Sequence, residues 1–304
     1  LTYDQALQLD ISPLCFEVLK DFTLSQNLTA SFNQVLKIYK PEPSYFACFS
    51  KVDNDPLMWS HYASQHQGYS LIFKPIDGKL RQHPHLKKHS ISRKTPNGLA
   101  ANSNYGLPES FSFQEIIYQE EVKPLCGFHR LPVAVVGGNL SEQDRINLAT
   151  SQAEQFFHKH ISWSYEQEVR VSVSPRMSWL FGENIELSSL ERLFYYEPTQ
   201  LVGIIFGARM PERNKDRLIE VLIYRQEQLY RSEDHERIMF EFAVFNAHLS
   251  GSNREIQVEI DKMISSGQTI DKSHKKFDPS YDRWKNGWGI KIEGNKSSRI
   301  QVLR

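Results

Sequence analysis

The sequence predicts an α+β (mixed α/β) protein, a single mixed sheet flanked by helices with a C-terminal extension. Three observations carry that expectation. YFACFS (45–50) is short, apolar and aromatic, as a buried strand should be; LVGIIFG (201–207) is a continuous apolar run, suited to a strand covered on both faces. Between and after these runs, residues 56–67 and 211–231 carry helical spacing of their apolar side chains.

Residues 1–44 read as helical, with Leu7, Leu14, Val18, Phe32, Leu36 and Tyr39 at roughly helical intervals until Pro41 and Pro43 intervene. After the first strand, Asp53-Asn54-Asp55 offers a side-chain cap and Pro56 stands where its missing N–H costs nothing, so a helix is expected from Pro56 to about Gln67. Gly68 is the expected left-handed stop, and YSLIF resumes as a strand. Trp59 and Tyr62 are assigned to the core from this helix. Residues 74–109 are rich in polar residues, proline and glycine and read as an irregular excursion. FQEIIYQEEV (113–122) is a strand candidate, LPVAVVGG (131–138) a strand or a loop, and residues 140–160 a helix capped by Ser141. The paired glycines at 137 and 138 do not make a phosphate-binding Gly-x-Gly-x-x-Gly loop.

In YEQEVRVSVS, Tyr165, Gln167, Val169, Val171 and Val173 alternate with Glu166, Glu168, Arg170, Ser172 and Ser174, as in a strand with one apolar and one charged face. MFEFAVFNAHL (239–249) also alternates. We expect residues 1–231 to form one mixed domain, with its most informative blocks at 45–73 and 163–207, and residues 232–304 to form an extension packed on it. No internal repeat is visible.

Composition narrows the function classes. Hydrophobic residues make up 40% and charged residues 24% of the 304, so the chain can bury a core. Lysine plus arginine and aspartate plus glutamate both total 36, so net charge does not indicate nucleic acid. The basic stretch 78–94 lacks interleaved aromatics and reads as a solvated loop. Three scattered cysteines fit neither a disulfide framework nor a zinc knuckle, which points to a reducing cytoplasm. No apolar run has the length of a membrane span. The chain opens at Leu1 rather than methionine, so an upstream segment is expected.

The chemistry-bearing candidates are few. Glu166 and Glu168, two apart on a strand, would project to one face about 7 Å apart, with Arg170 continuing the row. A neighbouring carboxylate raises a carboxyl pKa and an arginine lowers it, so such a trio can set one acid against another; a solvated ion-pair ladder is the plainer reading. His61 and His66 are five apart, poorly placed for one metal ion, and His83, His85 and His89 match no zinc spacing, so no metal is expected. His61 with Tyr62 is the better acid–base candidate. His158 and His160 flank Lys159 at an expected helix end, where the dipole suffices to explain them. Cys48 in its apolar strand is expected to be buried.

At these blocks the chain resembles a widespread bacterial family catalogued as a domain of unknown function. The matching elements are Cys48-Phe49-Ser50, Met58-Trp59-Ser60-His61-Tyr62-Ala63, His66-Gln67-Gly68, Leu71-Ile72-Phe73, the Trp163 to Arg170 run and Ile205-Phe206-Gly207. The resemblance implies a mixed α/β domain and brings no activity with it. The Glu-x-Glu pair also resembles, more distantly, the layout of ADP-ribosyltransferases. That likeness implies that Glu168 stabilises an oxocarbenium-like ribose with Glu166 assisting, and that NAD is a substrate.

The reading is therefore of a cytoplasmic bacterial protein, a defence or toxin effector with an ADP-ribosyltransferase-like site. Its candidate catalytic residues are Glu168, Glu166, His61, Tyr62 and Arg170. The alternatives are a non-enzymatic binding domain with a protein partner and a metal-dependent nuclease.

Overall fold

The structure, a computed structural model, describes residues 45–88, 90–93, 103–106, 108–121, 143, 155–173, 189–190, 192–231, 240–251, 255–287 and 300–303. The helices expected in residues 1–44, the 131–138 run and most of the 140–160 helix lie outside the described residues.

In chain order the elements are strand β1 (Tyr45–Ser50), helix α1 (Pro56–Tyr62), β2 (Tyr69–Phe73), β3 (Lys79–Arg81), β4 (Ser90–Arg93), β5 (Ser103–Gly106), β6 (Ser110–Ser112), β7 (Gln114–Glu115) and β8 (Ile117–Gln119). There follow β9 (His158–His160), β10 (Glu168–Val173), β11 (Leu201–Phe206), α2 (Glu212–Arg231), β12 (Phe242–Leu249), β13 (Ile256–Ser265), β14 (Gln268–Asp271), α3 (Phe277–Gly287) and β15 (Ile300–Leu303). The α+β class holds. Among the described residues, nine strands form the principal sheet in the order β14-β13-β12-β11-β2-β15-β1-β10-β7, and three two-stranded ribbons pair β3 with β6, β4 with β5 and β8 with β9. Within the principal sheet β11 and β12 are parallel, and α2 supplies the crossover that a parallel pair requires. Strands β12 to β14, α3 and β15 all come from residues after 231, and all four strands are hydrogen-bonded into the same sheet.

LVGIIF is buried at every position, because α2 covers one face of β11 and α1 with α3 covers the other. On the α2 side, Leu222 belongs to a core cluster that includes Phe49, Phe73, Val169, Ile204 and Phe242. On the opposite side Trp59, Ala63 and Trp284 pack with Ile72, Val202, Ile205 and Met263. The indole of Trp59 donates to the Asp53 carbonyl at 2.7 Å and that of Trp284 to the Val202 carbonyl at 2.9 Å, so neither large ring buries an idle donor. Buried Glu241 accepts from Ser280 Oγ at 2.5 Å and Arg283 Nε at 2.8 Å, which ties α3 to the start of β12.

Several local expectations change. The described part of 74–109 is not irregular: Asp77 (φ 52°) and Gly78 (φ 70°) make a tight turn with Ile76 and Lys79 exchanging hydrogen bonds at 3.0 Å, and β3 to β5 follow. The 113–122 strand divides at Ile116: up to there it pairs with β10, with the Ile116 N–H donating to the Glu168 carbonyl at 3.1 Å, and from Ile117 it pairs with β9 instead. Residues 158–160 are strand rather than helix end. The strand expected across 165–174 begins only at Glu168, because residues 161–166 wind into a 3-10 helix.

Candidate functional site

Helix α1 starts as its sequence dictates. The Asp55 carboxylate accepts from the N–H of Leu57 at 2.8 Å and of Met58 at 3.0 Å, with Pro56 in the first turn. It stops early, however, after seven residues. Ser64, Gln65 and His66 then occupy the left-handed region in succession (φ 48°, 56° and 69°), a conformation that costs an L-residue about 1–2 kcal/mol. The turn is held from outside: Gly207 N–H donates to the Gly68 carbonyl and Arg209 N–H to the His66 carbonyl, each at 2.9 Å. A Cβ on Gly207 would lie 2.7 Å from the Gly68 oxygen and closer still to that of His66. The role expected of Gly68 as left-handed stop thus falls to residues 64–66, and glycine is required instead at 207. The paired occurrence of His-x-Gly and Ile-Phe-Gly in the sequence has this contact as its physical content.

The early stop leaves Tyr62 at the last turn, 42% exposed, and its hydroxyl donates to Glu166 Oε1 at 2.8 Å. Tyr62 is therefore not a core residue, because its ring stays at the surface while its hydroxyl reaches a buried carboxylate. Glu166 ends the 3-10 helix, which His160 Nδ1 caps by accepting from Ser162 N–H at 3.2 Å. Gln167 then takes a left-handed conformation (φ 41°) and β10 begins. So Glu166 and Glu168 are not neighbours on one strand, yet the bend turns both carboxylates toward the same cation. Lys159, presented by β9, pairs with Glu166 Oε2 and lies 3.4 Å from Glu168 Oε2. Arg170 grips Glu168 with two nitrogens, Nε to Oε1 at 2.7 Å and Nη2 to Oε2 at 3.1 Å, and gives Nη1 to the Phe156 carbonyl.

Both carboxylates are buried, Glu166 2% and Glu168 7% exposed, which overturns the reading of a solvated charged face. The backbone around them is also tied down. Glu168 N–H donates to Tyr118 Oη at 2.8 Å, and Ser50 Oγ donates to the Glu166 carbonyl at 2.8 Å. On β1, Cys48 stands opposite Arg170 in the antiparallel register, so the two share a face of the sheet. Cys48 is exposed, not buried as its apolar neighbours imply, because it sits near the edge of the sheet on the face that carries charge.

Charge and desolvation shape the acidities. Burial pushes the Glu168 carboxyl upward, but hydrogen bonds from Arg170 and Cys48 and the charges of Arg170 and Lys159 outweigh it, and the net shift is downward. The Cys48 thiol is pushed up to about 11, by desolvation first and then by the Glu168 carboxylate that its hydrogen faces. The Tyr62 phenol is raised well above its usual value by desolvation and by its bond to Glu166.

Of the sequence candidates, Tyr62, Glu166, Glu168 and Arg170 come together. His61 does not enter the cluster: it is exposed in the last turn of α1 and meets the Tyr62 ring edge-on at 6.3 Å. Sequence reasoning missed Lys159, whose ammonium also lies 4.7 Å from the centroid of the Trp163 ring, together with Tyr118 and Cys48. A lone lysine between two histidines carries no spacing signal; only the parallel pairing of β9 with β8 delivers it.

A family model described as Protein of unknown function (DUF2971) matches residues 58–171. That span opens in α1 and closes in β10, so it contains Tyr62, Lys159, Glu166, Glu168 and Arg170. Over it the chain is similar to an uncharacterised domain family. No curated protein and no solved structure matches the chain.

Proposed function

We propose that the cluster is the centre of a group-transfer site of ADP-ribosyltransferase type with NAD as substrate. The observation that carries the reading is the placement of Glu168, held ionised by Arg170 and Lys159, beside a second buried carboxylate. Burying two acids against two partly buried cations is a poor route to stability, since a well-packed apolar group often does as well. Such clusters in combination with strained backbone, here the turn 64–66, concentrate at working sites.

In the proposed reaction the bond between ribose C1′ and the nicotinamide nitrogen breaks, and its electron pair leaves with nicotinamide, neutralising the pyridinium. Glu168 stabilises the cationic ribose. The acceptor's nucleophile bonds to C1′ and its proton passes to Glu166, which Tyr62 and Lys159 hold in place; His61, at the exposed end of α1, serves the acceptor's approach. Arg170 positions Glu168 and does not react. A bacterial, cytoplasmic setting and a defence or toxin effector role rest on the sequence resemblance and the scattered cysteines. The test is NAD consumption by the full chain and by Glu168→Gln, with folding followed by circular dichroism. Turnover lost on substitution with the fold retained supports the reading; equal turnover by the two proteins, or none by the parent, rejects it.

One observation favours the non-enzymatic alternative, a binding domain with a protein partner. All four carboxylate oxygens already accept from this chain's own donors, Tyr62, Lys159 and Arg170. On that reading Glu168→Gln leaves partner capture intact and no NAD is consumed. The same saturation disfavours a metal-dependent nuclease, because Lys159 and Arg170 hold the oxygens that a cation would need.

A further inference from the structure

On the other face of the sheet, against the α2 side, a cavity of about 650 Å³ opens beneath β3, β6, Ser189 and residues 192–196. Its size lies within the range of small-molecule sites, about 300–1,000 Å³. The walls are aromatic and braced by edge-to-face contacts: Phe73 against Tyr196 at 4.9 Å, Phe49 against Phe73 at 5.8 Å and Phe111 against Phe194 at 5.4 Å between ring centroids. Rings fixed in this way offer flat faces to a flat ligand at little entropic cost.

Among the described residues the cavity's charge is of one sign. Arg81 and Arg192 line it, and no aspartate or glutamate lines it among the described residues. The Arg81 pair with Asp77, at 2.8 Å, is exposed on both sides and so contributes little. The Arg192 guanidinium lies 5.1 Å from the Tyr45 ring centroid and contacts Ser189 Oγ at 3.4 Å. Close to the Tyr196 wall, Arg225 adds a buried positive charge. Its Nη2 reaches the carbonyls of Pro198 and Leu201, while Nη1 has no hydrogen-bond partner among the described residues.

We propose that this cavity binds a planar aromatic ring bearing an anionic group, of mononucleotide size, with the ring against the aromatic walls and the anion at Arg192 and Arg81. Guanidinium groups suit phosphate and carboxylate alike, and they stack on aromatic faces. The site is separate from the Glu166–Glu168 cluster, since Phe49 and Val171 face it while Cys48 and Arg170 face the cluster.

The test is isothermal titration of the full chain with AMP, UMP, 1-naphthoate, adenosine and inorganic phosphate. Saturable binding of at least one aromatic anion, at least tenfold tighter than adenosine and phosphate, is expected. An affinity loss of at least tenfold is expected in Arg192→Ala and in Phe194→Ala, with melting temperature checked for each. A preference for AMP over naphthoate identifies a phosphate ligand and the reverse a carboxylate. The proposal is overturned if no aromatic anion binds, if adenosine binds as well as AMP, or if folded Arg192→Ala binds like the parent. Glu168→Gln is expected to bind these probes unchanged, so failure here and failure of the NAD reading are separate results.

Discussion

Tyr62 and Glu166, 104 residues apart, are joined by a 2.8 Å hydrogen bond that links the last turn of α1 to the end of the 3-10 helix preceding β10. Removing the hydroxyl leaves a buried carboxylate oxygen without its donor, whose desolvation costs about 1–3 kcal/mol. Tyr62→Phe should therefore lower stability by that amount, as measured by urea denaturation. No change in the unfolding midpoint would mean that the bond is not made in solution.

The depressed Glu168 carboxyl gives a pH dependence of definite sign. A carboxyl with a folded pKa below its unfolded value of about 4.3 contributes stability that is present above the unfolded value and lost as pH falls through the folded one. The parent should lose stability below about pH 4. Glu168→Gln should be less stable at pH 7, because Arg170 and Lys159 lose a carboxylate, but it should lose less on acidification. Parallel stability curves for the two proteins between pH 2 and 7 would contradict the assignment.

Gly207→Ala should destabilise by more than about 3 kcal/mol, since its Cβ would run into two backbone oxygens rather than the tip of a flexible side chain. At the exposed Gln65, φ 56°, glycine should instead stabilise by about 0.5–1 kcal/mol by removing the left-handed penalty, whereas Gln65→Val should destabilise. Thermal melts of the three variants test the turn as a unit. A stabilising valine would show that the left-handed turn is absent.

How far the sequence reveals this molecule depends on the range of the cause. The cap at Asp55, the buried run Leu201–Phe206 and the helix from Glu212 have local causes in side-chain type and spacing, and all three are visible in the residues. The early end of α1 is not, because the left-handed turn exists only where Gly207 leaves room for it, 141 residues beyond His66. Asp77-Gly78 is a local hairpin signal that the surrounding polar composition obscures. At the candidate site, Glu166, Glu168 and Arg170 announce themselves by period-two spacing, although the 3-10 helix and the bend at Gln167 replace the first three residues, 165–167, of the strand which that spacing implies. Lys159 is silent in the sequence because its partners lie across a turn and a parallel pairing.

Cys48 offers a direct probe of that cluster. An ordinary thiol of pKa about 8.5 is roughly one-quarter thiolate at pH 8, whereas one pushed up to about 11 is roughly a thousandth thiolate. In a chain with Cys15 and Cys126 replaced by serine, alkylation by iodoacetamide at pH 8 should therefore be at least tenfold slower than that of glutathione, although Cys48 is exposed. Glu168→Gln removes the carboxylate that raises the thiol pKa and frees the Arg170 guanidinium to lower it, so the rate should rise. Slow labelling that Glu168→Gln leaves unchanged would assign the whole shift to desolvation and separate Cys48 from the carboxylate cluster.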